Sequence, residues 1–210
     1  PWANGMDVTK RTSDTWLVDF GIGVSEVEAS MFQKPFEYLA CNVKVPRQNN
    51  SEGRTSEKWW LHRRSGEDLR AVIATVSRFI VPVRPSKFRI FMWMDARVYP
   101  DSALVVIARD DDTTMGVLHS RFHELWSWRL GTSIGVGNDP RYTPTTTFET
   151  FPFPESLTPN IAAKDYAENS HAQAIASAAS ALVEARDRWL NPVEWVDWVR
   201  TPEEETAGFP

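Results

Sequence analysis

Residues 109–155, RDDDTTMGVLHSRFHELWSWRLGTSIGVGNDPRYTPTTTFETFPFPE, decide how this chain is read. Their first half predicts a single helix from Thr114 to Leu130, with Asp111 or Asp112 as its N-cap. Leu118, Phe122, Leu125 and Trp126 give that helix an apolar face, so His119, Arg121, His123 and Ser127 should lie away from it. A Gly-rich turn follows. From Arg141 to Pro154 the pattern is neither helical nor cleanly strand-like. Pro144, Pro152 and Pro154 block a regular helix and would break a sheet ladder. Yet Tyr142, Phe148, Phe151 and Phe153 are too apolar for a free linker. The segment is expected to be an ordered strap, its rings seated in pockets of a neighbouring surface.

Upstream, Phe79–Val83, Phe88–Met94 and Ala103–Ala108 are short β-branched or aromatic runs between Pro and Asp turns, and they predict a small sheet. Thr15–Phe20 alternates enough to be a further strand. Ser25 and Glu28 stand at capping-box spacing at the head of a helix with Val27, Met31, Phe32, Phe36, Leu39 and Ala40 as its apolar stripe. Pro35 should kink or split that helix. Residues 45–57 read as a polar loop. Glu67–Val76 reads as a short helix with Leu69, Val72, Ile73 and Val76 inward. Downstream, His171–Leu190 is an Ala-rich helix with Ile175, Ala178, Leu182, Ala185 and Trp189 in heptad-like spacing. Pro192 stops it. Trp195 and Trp198 follow, and then an acidic tail at Glu203–Glu205 that should be disordered. The expected fold is α+β: a small mixed or antiparallel sheet with packed helices, followed by a C-terminal helical segment. The composition shift past Pro154 divides the chain into residues 1–155 and 156–210.

A chain of 210 residues with 42% hydrophobic content can bury one main core with an appendage. No apolar run approaches the ~18–20 residues that span a bilayer, and no signal peptide is present, so no membrane partner is expected. The single Cys41, in an apolar helical context, cannot close an internal disulfide and fits a reducing cytoplasm. The first residue is not Met, and the chain reads as a piece of a longer protein. A net charge of −5 argues at first against nucleic acid, but the charge is uneven. Between Lys44 and Ile90 there are eleven basic and four acidic residues, which leaves that window at +7 and the remainder at −12. A locally positive face on an acidic protein can still bind phosphates. The same charges also fit solvated loops and helix faces.

Most candidate chemistry fails on spacing. Asp19-Phe20-Gly21-Ile22-Gly23 is like the Gly-rich turn that holds S-adenosylmethionine after a first strand. The segment after the next helix, Cys41-Asn42-Val43-Lys44-Val45, lacks the acid that grips a ribose. Asp139-Pro140-Arg141-Tyr142 is like the Asp/Asn-Pro-Pro-Tyr motif of amino-methyltransferases, in which the ring stacks on a flipped base. Arg141 replaces the second proline, and a plain turn is the better reading. His119 and His123 stand at i, i+4, with neither Glu124 nor Cys41 spaced as a third metal ligand. Asp110-Asp111-Asp112 suggests a Mg²⁺ nuclease. After Pro100-Asp101, however, the sole lysine is Lys164, and position 162 is Ala, so the acid-spacer-lysine pairing is missing. Binding remains.

Six segments, in order from about residue 3 to residue 160, carry a resemblance. They are Asn4-Gly5-Met6-Asp7, Trp16–Gly21 (WLVDFG), Lys34–Tyr38 (KPFEY), Trp59–His62 (WWLH), Ile107–Asp112 (IARDDD), and the pair GVLHSRFHELW and GVGNDPRYTPTTTFETFPFPE. Together they resemble the target-recognition region of MmeI-type (type IIL) restriction-modification enzymes, large bacterial adenine-specific DNA methyltransferases with relatives in phage defence. The resemblance implies a module that recognises double-stranded DNA and is not catalytic alone. It implies an upstream methyltransferase domain of the same chain that binds S-adenosylmethionine and flips the adenine, with or without a fused endonuclease. No cofactor is expected in this fragment. Arginine on strands and loops can bridge guanine O6 and N7, while most other basic side chains meet phosphate. The residues expected at such a surface are Arg47, Arg63, Arg64, Arg78, Arg84, Lys87, Arg89, Arg97, Arg109, Arg121 and Arg141. Trp59 and Trp60, beside Lys58, Arg63 and Arg64, could stack on sugar-phosphate or belong to the core. Two other classes compete. Ten tryptophans suggest a carbohydrate-binding module, and the heptad-like helix suggests a protein-interaction module.

Overall fold

The computed structural model describes residues 1–49, 56–63, 66–135, 139–197 and 199–207. The chain opens with β1 (Trp2–Ala3) and α1 (Gly5–Thr9). Asn4 caps α1 by accepting from the Met6 N–H, and Asp7 returns a bond to the Asn4 N–H at 2.7 Å. Residues 15–20, expected as a strand, form none beyond one bridge between Thr15 and Trp2. His62 bonds the Val18 carbonyl at 3.0 Å, so a side chain occupies a place a ladder would use.

The Ser25–Glu28 capping box forms as expected and opens α2 (Glu26–Ser30). The helix then splits ahead of Pro35, and α3 (Gln33–Leu39) begins. It widens into a π-helical turn, Ala40–Lys44, and continues as α4 (Val45–Gln48), so helix enters a stretch expected to be loop. Residues 50–55 of that stretch lie outside the described residues. The split turns the two pieces against each other, and only half of the expected apolar stripe faces inward. Phe36, Leu39 and Ala40 pack on the buried Trp59 and Trp60, whereas Val27, Met31 and Phe32 are exposed. Cys41 is also exposed. Next, α5 (Glu67–Ile73) buries Ile73 with Leu69 and Val76 beside it, but Val72 faces outward.

The centre is the antiparallel pair β2 (Arg78–Pro82) and β3 (Phe91–Asp95), with Ile80 opposite Trp93. Residues 88–90, expected to start β3, do not join it. Residues 103–108 lie along the other edge of β2 without becoming a regular strand. Ile80 and Ile107 exchange both backbone bonds, at 3.0 and 2.9 Å, and Val105 N–H reaches the Pro82 carbonyl at 3.1 Å. Pro82 has no N–H to return, which interrupts the ladder. β4 (Tyr99–Pro100) pairs in parallel with β1.

The expected helix 114–130 is two helices, α6 (Asp112–His119) and α7 (Arg121–Leu130). Ser120 between them is extended, with ψ at 149°, and its hydroxyl accepts from the His123 N–H at 3.2 Å. This internal N-cap restarts the helical phase; Leu118 stays inward and Arg121 outward as expected, but other expected positions exchange faces. His123 and Ser127 are fully buried, while Phe122 is 81% exposed and Leu125 half-exposed. β5 (Thr132–Ile134) and β6 (Asp139–Arg141) then pair antiparallel, and α8 (Pro144–Thr147) follows.

A 3₁₀ turn, Ala163–Tyr166, leads to α9 (Ser170–Leu190), which packs on α6. Gly116 makes that approach possible. A Cβ there would stand 2.6 Å from Ile175 Cγ2 and 2.9 Å from the Ile175 carbonyl oxygen. The inward side of α9 carries the small Ala172 and Ala179 beside Ile175, which fits because position 116 is glycine. Of the heptad-like stripe, Ile175 packs inward against Gly116 and the Leu157–Tyr166 cluster, while Leu182 and Trp189 face outward, Trp189 78% exposed. Glu203–Glu205 fall within a last helix, α10 (Pro202–Ala207), where disorder was expected. Phe79, Val81 and Met94 form one side of the core. Ile80, Phe91, Ile107, Met115, Leu118, Tyr142 and Ala179 form the other, so α9 shares a core with the sheet. The architecture is the expected α+β with a C-terminal helix. Among the described residues no helix is long and apolar enough to cross a membrane.

Candidate nucleic-acid interface

The strap is ordered, as its aromatic content predicts. Tyr142 is fully buried, its hydroxyl 3.2 Å from His123 Nε2. Phe151 stacks edge-on against His123 at 4.8 Å between centroids and against Phe153 at 5.0 Å, and Phe148 meets Phe153 at 5.5 Å. Backbone bonds fix it to the sheet. Tyr142 N–H donates to the Arg84 carbonyl at 2.7 Å, and Ser86 N–H to the Pro140 carbonyl at 3.1 Å. The strap thereby carries Arg141 to the segment that carries Arg84, across a bridge between Pro85 and Arg141.

The eleven basic residues expected at an interface separate into groups. Arg47, Arg78, Arg89 and Arg109 are each engaged by partners within the protein, Arg78 at its surface. Arg47 Nη1 donates to the Trp59 and Leu61 carbonyls at 2.6 and 2.5 Å. Arg78 pairs with Asp112 at 3.1 Å and lies 3.7 Å over the Trp93 ring. Arg89 is buried, donates to Ser127 Oγ at 3.2 Å and Ser86 O at 3.0 Å, and faces the Trp128 ring. Arg109 donates to Asp111, to the Pro159 and Ile161 carbonyls and to the Tyr166 hydroxyl, tying residues 159–166 to the sheet. These four cannot meet DNA without leaving their partners. Arg97 and Arg121 are exposed and held by neighbouring acids, Asp95 and Glu124. Such surface pairs contribute ~0–1 kcal/mol and exchange readily for phosphate. Arg63 and Lys87 are exposed. Arg64 lies outside the described residues.

Arg84 and Arg141 stand apart. Both are half-buried, and both line an open groove of about 790 Å³ whose walls include Trp2, Tyr99, Asp101, Leu104 and Pro144. Each has its Nε buried without a hydrogen-bond partner, as Arg89 has its Nη2, but Arg89 is otherwise held by Ser86 and Ser127. Among the described residues, no carboxylate pairs with either. Asp101, in the same groove, bonds the N–H and hydroxyl of Ser102. Burial and then the neighbouring Arg141 charge hold the Arg84 pKa below the usual arginine value. Two adjacent like charges with unmet donors are costly unless something negative joins them. The sequence marked both arginines but not their proximity. It did not mark Trp2 or Tyr99 at all, because two-residue strands leave no periodic signal.

The rejected motifs are occupied in ways that explain themselves. Tyr142, the ring of the Asp-Pro-Arg-Tyr sequence, has no exposed face for a base, and the sequence lies on β6 and its exit, where a turn was expected. His119 Nε2 bonds the Phe91 carbonyl at 2.9 Å, and both ring nitrogens of His123 have partners. The Asp19 carboxylate bonds the Gly21 N–H at 3.0 Å and Arg70 at 2.5 Å. Burial alone would raise its pKa, but these partners lower it overall. Trp59 and Trp60 belong to the core, with indole bonds to Glu26 and the Val24 carbonyl. Asp111 caps α6 as expected.

No protein-family model matches the chain, and no curated protein matches its sequence. A solved structure does: that of the type IIL restriction-modification enzyme MmeI in complex with DNA. The two folds align with a TM-score of 0.61 over 89% of this chain, at 17% identity. The chain spans 23% of the length of that enzyme.

Proposed function

We propose that this chain is the sequence-specific double-stranded DNA recognition module of a bacterial, cytoplasmic adenine-N6 DNA methyltransferase from a restriction-modification or phage-defence system. Residues 1–155 form the target-recognition domain, and residues 156–210 brace it through α9 and the Arg109 bonds. The module is not catalytic alone. An upstream domain of the same chain would bind S-adenosylmethionine and flip the adenine. Three things support this: the ordered motifs, the fold shared with a restriction-modification enzyme solved with DNA, and the Arg84–Arg141 pair. The pair carries the reading, since two adjacent arginine charges without a carboxylate partner in an open groove ask for an anionic one. Arg63, Lys87, Arg97 and Arg121 add exposed positive charge. Arg47, Arg78, Arg89 and Arg109 hold the surface in shape.

Fluorescence anisotropy on labelled duplexes tests the proposal. The association constant should fall linearly with log salt, with a slope near −0.9 for each phosphate contacted. Absent binding at low salt, or binding indifferent to salt, would refute it.

The outward stripe of α9, with Leu182 and Trp189 exposed and Val193 and Trp195 beyond it, favours a second role for this end as a protein-binding surface. Leu182→Glu with Trp189→Glu should leave DNA affinity intact and abolish capture of the upstream domain.

A further inference from the structure

We infer that Arg84 and Arg141 together hold one phosphate of the DNA backbone, fixing where the duplex sits rather than which bases are read. This rests on the DNA-binding reading above and assigns the chemistry of the groove. A phosphodiester carries a full negative charge and two non-bridging oxygens, enough to bridge two guanidinium groups. A guanine edge is neutral, and one bidentate arginine already fills its O6 and N7. Setting two adjacent guanidinium groups against a neutral edge would leave their mutual repulsion uncancelled.

Reach gives the same answer. Base edges lie at the floor of a major groove ~8.5 Å deep, so a reading arginine must project. Arg84 and Arg141 are half-buried, and the Nε end of each guanidinium is sunk in the wall of the groove that they line with Leu104, Val105 and Pro144. Phosphate oxygens lie on the outside of the duplex and can meet the parts of the two guanidinium groups that stay open to the groove. The backbone bonds that join residues 84–86 to 140–142 set the spacing of the two side chains before any DNA arrives.

The test uses a duplex of random sequence at low salt and four variants of this chain: Arg84→Gln, Arg141→Gln, both together, and Arg84→Lys with Arg141→Lys. A shared phosphate predicts that the double Gln variant loses less affinity than the product of the single losses. Its salt slope should shrink by ~0.9, the value for one contact. The double Lys variant should recover part of the affinity. In DNA-free protein the Gln variants should melt no lower than wild type, because each keeps a polar group at the depth of Nε and removes a like-charge repulsion. Multiplying losses with a slope change for two phosphates would overturn the clamp. So would a lower melting temperature without DNA, which marks a structural pair. Losses confined to particular sequences with the slope unchanged would overturn it too, while leaving DNA recognition standing. Failure of wild type to bind any duplex would remove both.

Discussion

His123 should make the protein lose stability as the pH falls below neutral. Its ring is fully buried on α7, against Phe91 at 5.4 Å and Phe151 at 4.8 Å. Nδ1 donates to the Leu118 carbonyl at 2.8 Å, so Nε2 accepts from the Tyr142 hydroxyl in the neutral ring. Burial lowers its pKa to about 4, with the Arg89 and His119 charges acting in the same direction against the Leu118 and Thr147 carbonyls. Buried Tyr142 does not ionise to compensate, since burial raises its own pKa. The folded pKa lies below the unfolded value of ~6.5, so the unfolded chain takes the proton first. Stability is therefore full above ~6.5, declines between ~6.5 and ~4, and stops declining on this account once the folded state also binds the proton. At ~1.36 kcal/mol per pKa unit, the total is about 3 kcal/mol. Burial lowers the His119 pKa as well, and it adds in the same sense. Urea unfolding at a series of pH values gives the curve. His123→Gln will be less stable throughout, but its slope should flatten by about one proton. A variant with the wild-type slope, or a flat wild-type curve, would refute the buried polar face of α7.

Gly116→Ala sets helix propensity against space. Alanine gains ~1 kcal/mol in a helix interior, but overpacking costs ~1–3 kcal/mol. The new Cβ would meet a backbone oxygen at 2.9 Å as well as Ile175 Cγ2, so a lower melting temperature is expected, and a higher one would contradict the α6–α9 crossing. Ser120→Ala should cost ~1 kcal/mol in urea unfolding, as for a lost N-cap, whereas a continuous helix would gain from alanine. Asp111→Ala strands Thr114 N–H, the Tyr166 hydroxyl and the Arg109 guanidinium. It should cost ~3 kcal/mol and speed proteolysis of residues 159–166, and an unchanged cleavage rate would contradict that tether. Burial raises the Asp111 pKa, but its hydrogen bonds and Arg109 hold it below the ordinary value. Its contribution should therefore persist above ~4 and disappear as the pH falls through the folded pKa.

The sequence revealed element types better than it revealed their facing. Ser25 and Asp111 were legible as caps because a cap is a local hydrogen bond at fixed spacing. Ser120 was not, because a serine inside an apolar-periodic run looks like a polar-face residue until its backbone is seen to be extended. That one residue turned Phe122 and Leu125 outward and Ser127 inward, and hid the buried His123. In α9, heptad spacing found the inward Ile175 but also marked the exposed Leu182 and Trp189, since the buried Ala172 and Ala179 carry little hydrophobic signal. The strap was legible as ordered from its rings and prolines. The groove was not, since it needs Arg84 and Arg141 from segments far apart in sequence, joined through pairings made of single bridges. A list of basic residues could not tell Arg89 and Arg109, each held by several protein partners, from Arg84 and Arg141, which share an open groove without a carboxylate.

Selection from a randomised duplex pool tests the central claim most directly. The account predicts enrichment of a defined site that this chain binds ~10³-fold or more tightly than a scrambled duplex at physiological salt. A pool that emerges without sequence preference, or that the chain does not retain, would contradict it.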